Sequence, residues 1–118
     1  MIMETERYRI DGDLLIIKDG VTSIAENEFK GMDKIKEIRL PDGLTWIWDY
    51  AFSGCTKLKK IRFPYTLEYI CSSAFRNCQR LKEVIVPSTT KIYEHAFDGC
   101  DALEKVIIRD INPVSPTE

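Results

Sequence analysis

A chain of 118 residues with 17 Lys and Arg against 19 Asp and Glu carries a formal net charge of −2. That size fits one domain, and the near-balanced charge gives no electrostatic case for nucleic acid or an anionic membrane. No apolar run approaches the roughly 20 residues a membrane span needs, so no membrane insertion is expected.

Residues 1–7 lack the basic and apolar regions of a secretory signal, which favours a cytoplasmic protein unless a signal lies outside this chain. The next stretch, from Tyr8 to Ile17, reads as two short strands around an Asp11-Gly12 turn. Residues 1–13 are assigned as an N-terminal cap strand and turn. Leu15 and Ile17 fall one period before Ile38 and Leu40, so the second strand of this hairpin begins a stack.

The stack is announced by spacing. Ile47, Ala51-Phe52, Cys55, Leu58, Ile61 and Phe63-Pro64 return as Ile70, Ala74-Phe75, Cys78, Leu81, Val84 and Val86-Pro87. They return again as Ile92, Ala96-Phe97, Cys100, Leu103, Val106 and Ile108. Upstream the same slots hold Ile24, Phe29, Met32, Ile35, Ile38 and Leu40-Pro41. Phe29, Phe52, Phe75 and Phe97 step by 23, 23 and 22 residues. A fixed period of this length marks a solenoid of stacked units.

Each unit has three parts. A short strand carries two inward residues at period two. A turn follows, opened by Pro41, Pro64 or Pro87, because proline offers no donor to a ladder. The chain then returns through Ile47 and its equivalents into a helical turn. There Phe52, Cys55 and Leu58, three apart, would line one side of a tight, 3-10-like helix. One unit cannot stand alone. Burying a large apolar side chain yields about 1.5–3 kcal/mol, whereas ordering backbone costs about 1–2 kcal/mol for every residue.

The last unit is irregular. It is one residue short between Pro87 and Ile92, and Thr90 stands near the slot that Leu44 and Leu67 fill. Residues 109–118, with Pro113 and Pro116, are expected to form a poorly ordered polar tail. Ile108 and Ile111 would cover the end of the stack, or that end would be a docking face.

Little in the chain suggests chemistry. Cys55, Cys78 and Cys100 share one slot with Met32 and read as small core hydrophobes, not disulfide partners. Cys71, just after Ile70, is the exception. No Cys-x-x-Cys pair, nucleophile motif or phosphate loop occurs, so no metal, no cofactor and no enzymatic activity is expected. His95, with Tyr50, Ser73 and, to within one residue, Glu28 as counterparts, reads as a solvent-facing turn residue and not as a catalytic base.

Two surfaces are candidates for partner binding. One outward strand column reads Leu14, Glu37, Lys60, Glu83 and Lys105, alternating in sign, and the next reads Ile16, Arg39, Arg62, Ile85 and Ile107. Stacked at about 4.8 Å, Arg39 and Arg62 repel unless satisfied. Either Glu37 and Glu83 satisfy them diagonally, or a carboxylate-bearing partner does, with Ile85 and Ile107 as its apolar neighbours. The second surface is aromatic: Trp46, Trp48, Tyr50, Tyr65, Tyr69 and Tyr93 lie outside the core columns. They either cover the edges of the units or form a protein-binding patch in which Trp46, Trp48, Tyr65 and Tyr69 are the candidate contacts.

The pattern Ile47-x-x-x-Ala51-Phe52-x-x-Cys55-x-x-Leu58-x-x-Ile61-x-Phe63-Pro64, with its counterpart from Ile70 to Pro87, resembles the BspA-type leucine-rich repeat over residues 14–108. The resemblance implies a short right-handed solenoid with a concave parallel β-sheet, short helical or 3-10 turns on the convex side and, here, an N-terminal hairpin cap. Such proteins are bacterial and also protozoan, often long, secreted or surface-displayed, and implicated in adhesion and host-protein binding. This chain departs from them in being short and without a signal. The expected function is non-catalytic protein binding, in adhesion or recognition of a host or partner protein. The alternative is a structural unit that self-assembles as a homo-oligomer through its open end or its aromatic patch.

Overall fold

The apolar columns become stacked coils in the computed structural model, which describes residues 2–110. The chain forms β1 (Ile2–Glu4), β2 (Tyr8–Asp11), β3 (Leu14–Ile17), β4 (Ser23–Ile24), β5 (Glu37–Arg39) and β6 (Trp46–Ile47). It continues with β7 (Lys60–Arg62), β8 (Tyr69–Ile70), β9 (Glu83–Pro87), β10 (Lys91–Ile92) and β11 (Lys105–Arg109). The larger sheet has the order β1-β2-β3-β5-β7-β9-β11. Its first two joins are antiparallel and the others parallel. The β2–β3 hairpin turns where expected, with Gly12 at φ 65°.

Two features were not anticipated at the start of the chain. β1 adds a third strand outside the hairpin. Arg7 then ties the cap to the first coil: its guanidinium donates to both carboxylate oxygens of Glu28, at 2.9 and 3.0 Å, and to the Ser23 carbonyl at 2.8 Å.

A second, smaller sheet of two-residue parallel strands, β10-β8-β6-β4, faces the larger one across the core. Leu15, Ile38, Ile61 and Val84 fill the inner column of the large sheet, and Ile24, Ile47 and Ile70 fill that of the small sheet; all are buried. Phe29, Phe52, Phe75 and Phe97 stack at 5.5, 5.2 and 5.4 Å between ring centres, tilted by 11–16°. Tyr8 closes the N-terminal end of this stack edge-on against Phe29 at 5.0 Å. The solenoid with its parallel sheet is therefore as expected.

The helical turns are not found among the described residues. In the coil around Phe52, alternate amides bond within the coil: Ala51 to Trp48, Ser53 to Tyr50 and Cys55 to Phe52. The amides between them cross to the next coil, Tyr50 to Ser72 at 3.3 Å, Phe52 to Ala74 at 2.8 Å and Gly54 to Arg76 at 2.7 Å. A helix would keep every amide inside its own coil. The cause is left-handed backbone at Tyr50 and Gly54, φ 59° and 78°, repeated at Asn27 and Gly31, Ser73 and Asn77, and His95 and Gly99. Positive φ cannot continue a right-handed helix and costs a non-glycine residue about 1–2 kcal/mol. The inter-coil bonds offset that cost, so the spacing of three arises from consecutive tight turns.

The cysteine slot also does more than fill space. Cys55, Cys78 and Cys100 each donate a thiol to the carbonyl of the phenylalanine one coil earlier, Phe29, Phe52 and Phe75, at 3.6, 3.3 and 3.1 Å. All four cysteines are free. The Cys100 and Cys55 thiols on either side, together with burial, push the Cys78 thiol up and keep it protonated.

In the last coil Thr90 takes the leucine slot. Its amide bonds to Pro87 as that of Leu67 bonds to Pro64, and its hydroxyl donates to the Leu67 carbonyl at 2.8 Å. Val106 and Ile108 are 53% and 58% exposed, whereas their counterparts Val84 and Val86 are 2% and 1% exposed. Arg109 ends β11. The expectation that Ile111 covers the end, and that of a poorly ordered tail over residues 109–118 from position 111 onward, fall outside the described residues.

Candidate functional site

The outward columns of the large sheet stand in the register read from the sequence, Leu14–Glu37–Lys60–Glu83–Lys105. Their charges do not pair uniformly. Lys60 and Lys105 both approach Glu83, at 3.3 and 4.0 Å, while Glu37 turns along its own strand to Arg39 at 3.3 Å. Glu83 is thus engaged by two lysines, and Arg62 forms no ion pair among the described residues.

That arrangement coincides with a break in the sheet. β3 pairs with β5, and β7 with β9, over three residues each, but β5 and β7 pair only at Glu37 and Lys60. The ladder stops short of the point where Arg39 would face Arg62. Two guanidinium groups at strand spacing repel, and Glu37 engages only Arg39 of the two. The gap is a groove of about 630 Å³ whose lining includes Lys36, Arg39, Lys59, Lys60 and Arg62 against one carboxylate, Glu37. Ile85 and Ile107 continue the Arg62 column in register, one half-buried and the other exposed.

The aromatic residues separate into three places. Trp46, Trp48, Tyr69 and Tyr93 form one continuous run along the smaller sheet, with ring centres 4.8, 4.1 and 6.1 Å apart. Tyr65 lies instead beneath the Arg109 guanidinium, 5.6 Å from ring centre to charge, and Tyr50 beneath the Lys30 ammonium at 5.2 Å. Trp46 donates its indole N–H to the Cys71 sulfur at 3.2 Å. This explains Cys71: it is buried under the tryptophan edge, and burial pushes its thiol above the ordinary range despite that hydrogen bond.

His95 is exposed, with Nδ1 2.6 Å from Asp98 Oδ2. It belongs to the positive-φ column, which makes Asn27, and not Glu28, its counterpart in the first coil. It lines neither the groove nor the aromatic run. The groove itself was only half visible beforehand. Arg39 and Arg62 were legible as a repelling pair, but the place of Lys36 and Lys59 in the lining, just before the joined Glu37 and Lys60, was not.

The BspA type Leucine rich repeat region matches residues 12–115 of the chain in six copies. Among solved structures, a leucine-rich repeat protein of T. pallidum is similar, with 27% identity and a TM-score of 0.66 over 80% of this chain. A leucine-rich cell surface protein from Faecalibacterium prausnitzii A2-165 is also similar, with 26% identity and a TM-score of 0.57 over 81% of this chain. The matches span 63% of the first protein and 32% of the second. No curated protein sequence matches the chain.

Proposed function

Because the chain belongs to the BspA-type leucine-rich repeat family, whose repeats generally mediate protein interaction, we propose that it is a non-catalytic recognition module that holds an acidic segment of a partner protein in the groove between β5 and β7. The observation that carries this reading is the interrupted ladder: five cationic side chains surround an opening that contains one carboxylate. Guanidinium forks suit carboxylates, and Arg62, without an ion pair among the described residues, is the group with most to gain. Ile85 and Ile107 extend the contact across the strands of the next two coils. The similar cell surface protein supports an adhesive or partner-recognising role in a longer, displayed array.

Titration with a glutamate-rich peptide tests the reading. Arg62→Glu is expected to weaken binding about tenfold or more, since it replaces an attraction by a repulsion. Its unfolding free energy should stay within about 0.5 kcal/mol of the parent, as for other exposed changes. Unchanged affinity in this variant would remove the groove from the account.

A second reading rests on Val106 and Ile108. Exposed in the last coil where their counterparts are buried, they favour self-assembly by stacking against another copy. Light scattering over a tenfold concentration range should then show mass rising with concentration, and Ile108→Lys should return it to the monomer value. A constant monomer mass excludes this reading.

A further inference from the structure

The smaller sheet carries a separate feature, of opposite charge to the groove. Trp48, Cys71 and Tyr93 occupy one position in successive coils: their amides donate to the carbonyls of Ile24, Ile47 and Ile70 at 3.0, 2.9 and 2.9 Å. Neighbouring coils in a parallel ladder lie about 4.8 Å apart, so the backbones of Trp48 and Tyr93 stand roughly 10 Å apart with Cys71 between them. A ring, a short thiol and a ring therefore follow one another down the column. Where the thiol stands the column is recessed, leaving a notch of about 240 Å³ lined by Trp46, Trp48, Asp49, Cys71, Ser72 and Tyr93.

The chemistry of the lining is specific. Trp48 and Tyr93 are 43% and 47% exposed, so both present ring surface to an incoming group. The rings that link them change direction gradually, by 20° from Trp48 to Trp46, 32° from Trp46 to Tyr69 and 17° from Tyr69 to Tyr93. The Cys71 sulfur is already taken by the Trp46 indole. Asp49 supplies the charge: it forms no ion pair among the described residues, and its field contributes to raising the Cys71 thiol.

We propose that this notch receives an arginine side chain presented by a partner protein. A guanidinium is planar, so it can lie against aromatic faces while its N–H groups donate to the Asp49 carboxylate. A flat group entering over Cys71 can rest at about 3.5–4 Å against an exposed ring face at either end of the recess. A lysine ammonium gains the attraction to the rings but cannot stack flat. A neutral apolar side chain would cover Asp49 without satisfying it. The volume accommodates one side chain and not a length of peptide. The notch and the cationic groove lie on different sheets, so the failure of either leaves the other standing.

The chain has two tryptophans, and both line the notch, so intrinsic emission reports on it directly. The probe is a capped Gly-Arg-Gly tripeptide, with lysine and citrulline versions as controls. The arginine peptide should give a saturable emission change with Kd in roughly the millimolar range, as one side chain permits. The lysine peptide should bind at least about threefold more weakly, and the uncharged citrulline peptide should give no saturable change. Asp49→Asn and, separately, Tyr93→Ala should each weaken arginine binding about three- to tenfold while leaving the thermal transition in place. No saturable response to arginine, an equal response to lysine or citrulline, or unaltered binding by Asp49→Asn would each overturn the proposal.

Discussion

Phe52→Ala is expected to destabilise the protein by about 3–5 kcal/mol, and Phe75→Ala by as much. Phe52 is fully buried and sits between Phe29 and Phe75, 5.5 and 5.2 Å from each. Phe75 adds an edge contact with Phe63 at 5.5 Å. Truncation leaves a cavity that the surroundings cannot close, because the amides of Phe52 and Gly54 pin this coil to the next at 2.8 and 2.7 Å. The loss is a large fraction of the roughly 5–15 kcal/mol that holds a domain together. Phe97, the last ring, is only partly buried, so its truncation should cost less than half as much. Urea unfolding of the three variants checks this gradient. A loss under about 1 kcal/mol at Phe52 would contradict the assignment of the phenylalanine stack as the core.

A lysine placed in the isoleucine column of the smaller sheet should unfold the protein or leave it intact, according to the coil. Ile70 is fully buried between Ile47 and Ile92, whereas Ile92, in the same slot one coil later, is 44% exposed. At Ile70 an ammonium would enter the core with no carboxylate beside it, at an effective cost of several kcal/mol, enough to remove most of the stability. At Ile92 the long lysine stem can run along apolar surface while its charge reaches water, and the loss should stay near about 1 kcal/mol. Far-ultraviolet circular dichroism with thermal melts distinguishes the two variants. Equal melting temperatures would show that Ile70 is not enclosed by its neighbours.

The column logic behind both predictions was legible because it is purely periodic. The positions of Phe52, Leu58, Ile61 and their repeats alone specify which residues stack and in what register. Two kinds of feature were hidden for physical reasons. Left-handed backbone at Tyr50, Ser73 and His95 bears no glycine to announce it, so a spacing of three suggested a helix where consecutive turns occur. Strands of two residues, such as Trp46–Ile47, are too short to show alternation, so the smaller sheet and its aromatic run could not be placed. The candidate sites divide along the same line. The repulsion of Arg39 and Arg62 could be read from the outward column, but the interruption of the ladder beyond Glu37 and Lys60 depends on how the sheet responds. Tyr65 shares with the tryptophans a place outside the core columns, but the fold carries it to Arg109.

The most direct test of the recognition account is an amide chemical-shift map, recorded on isotope-labelled protein as a glutamate-rich peptide is added. The account predicts saturable shifts concentrated at residues 36–39 and 59–62, on both sides of the interrupted ladder, and their loss in Arg62→Glu. Shifts centred elsewhere, or none at millimolar peptide, would contradict it.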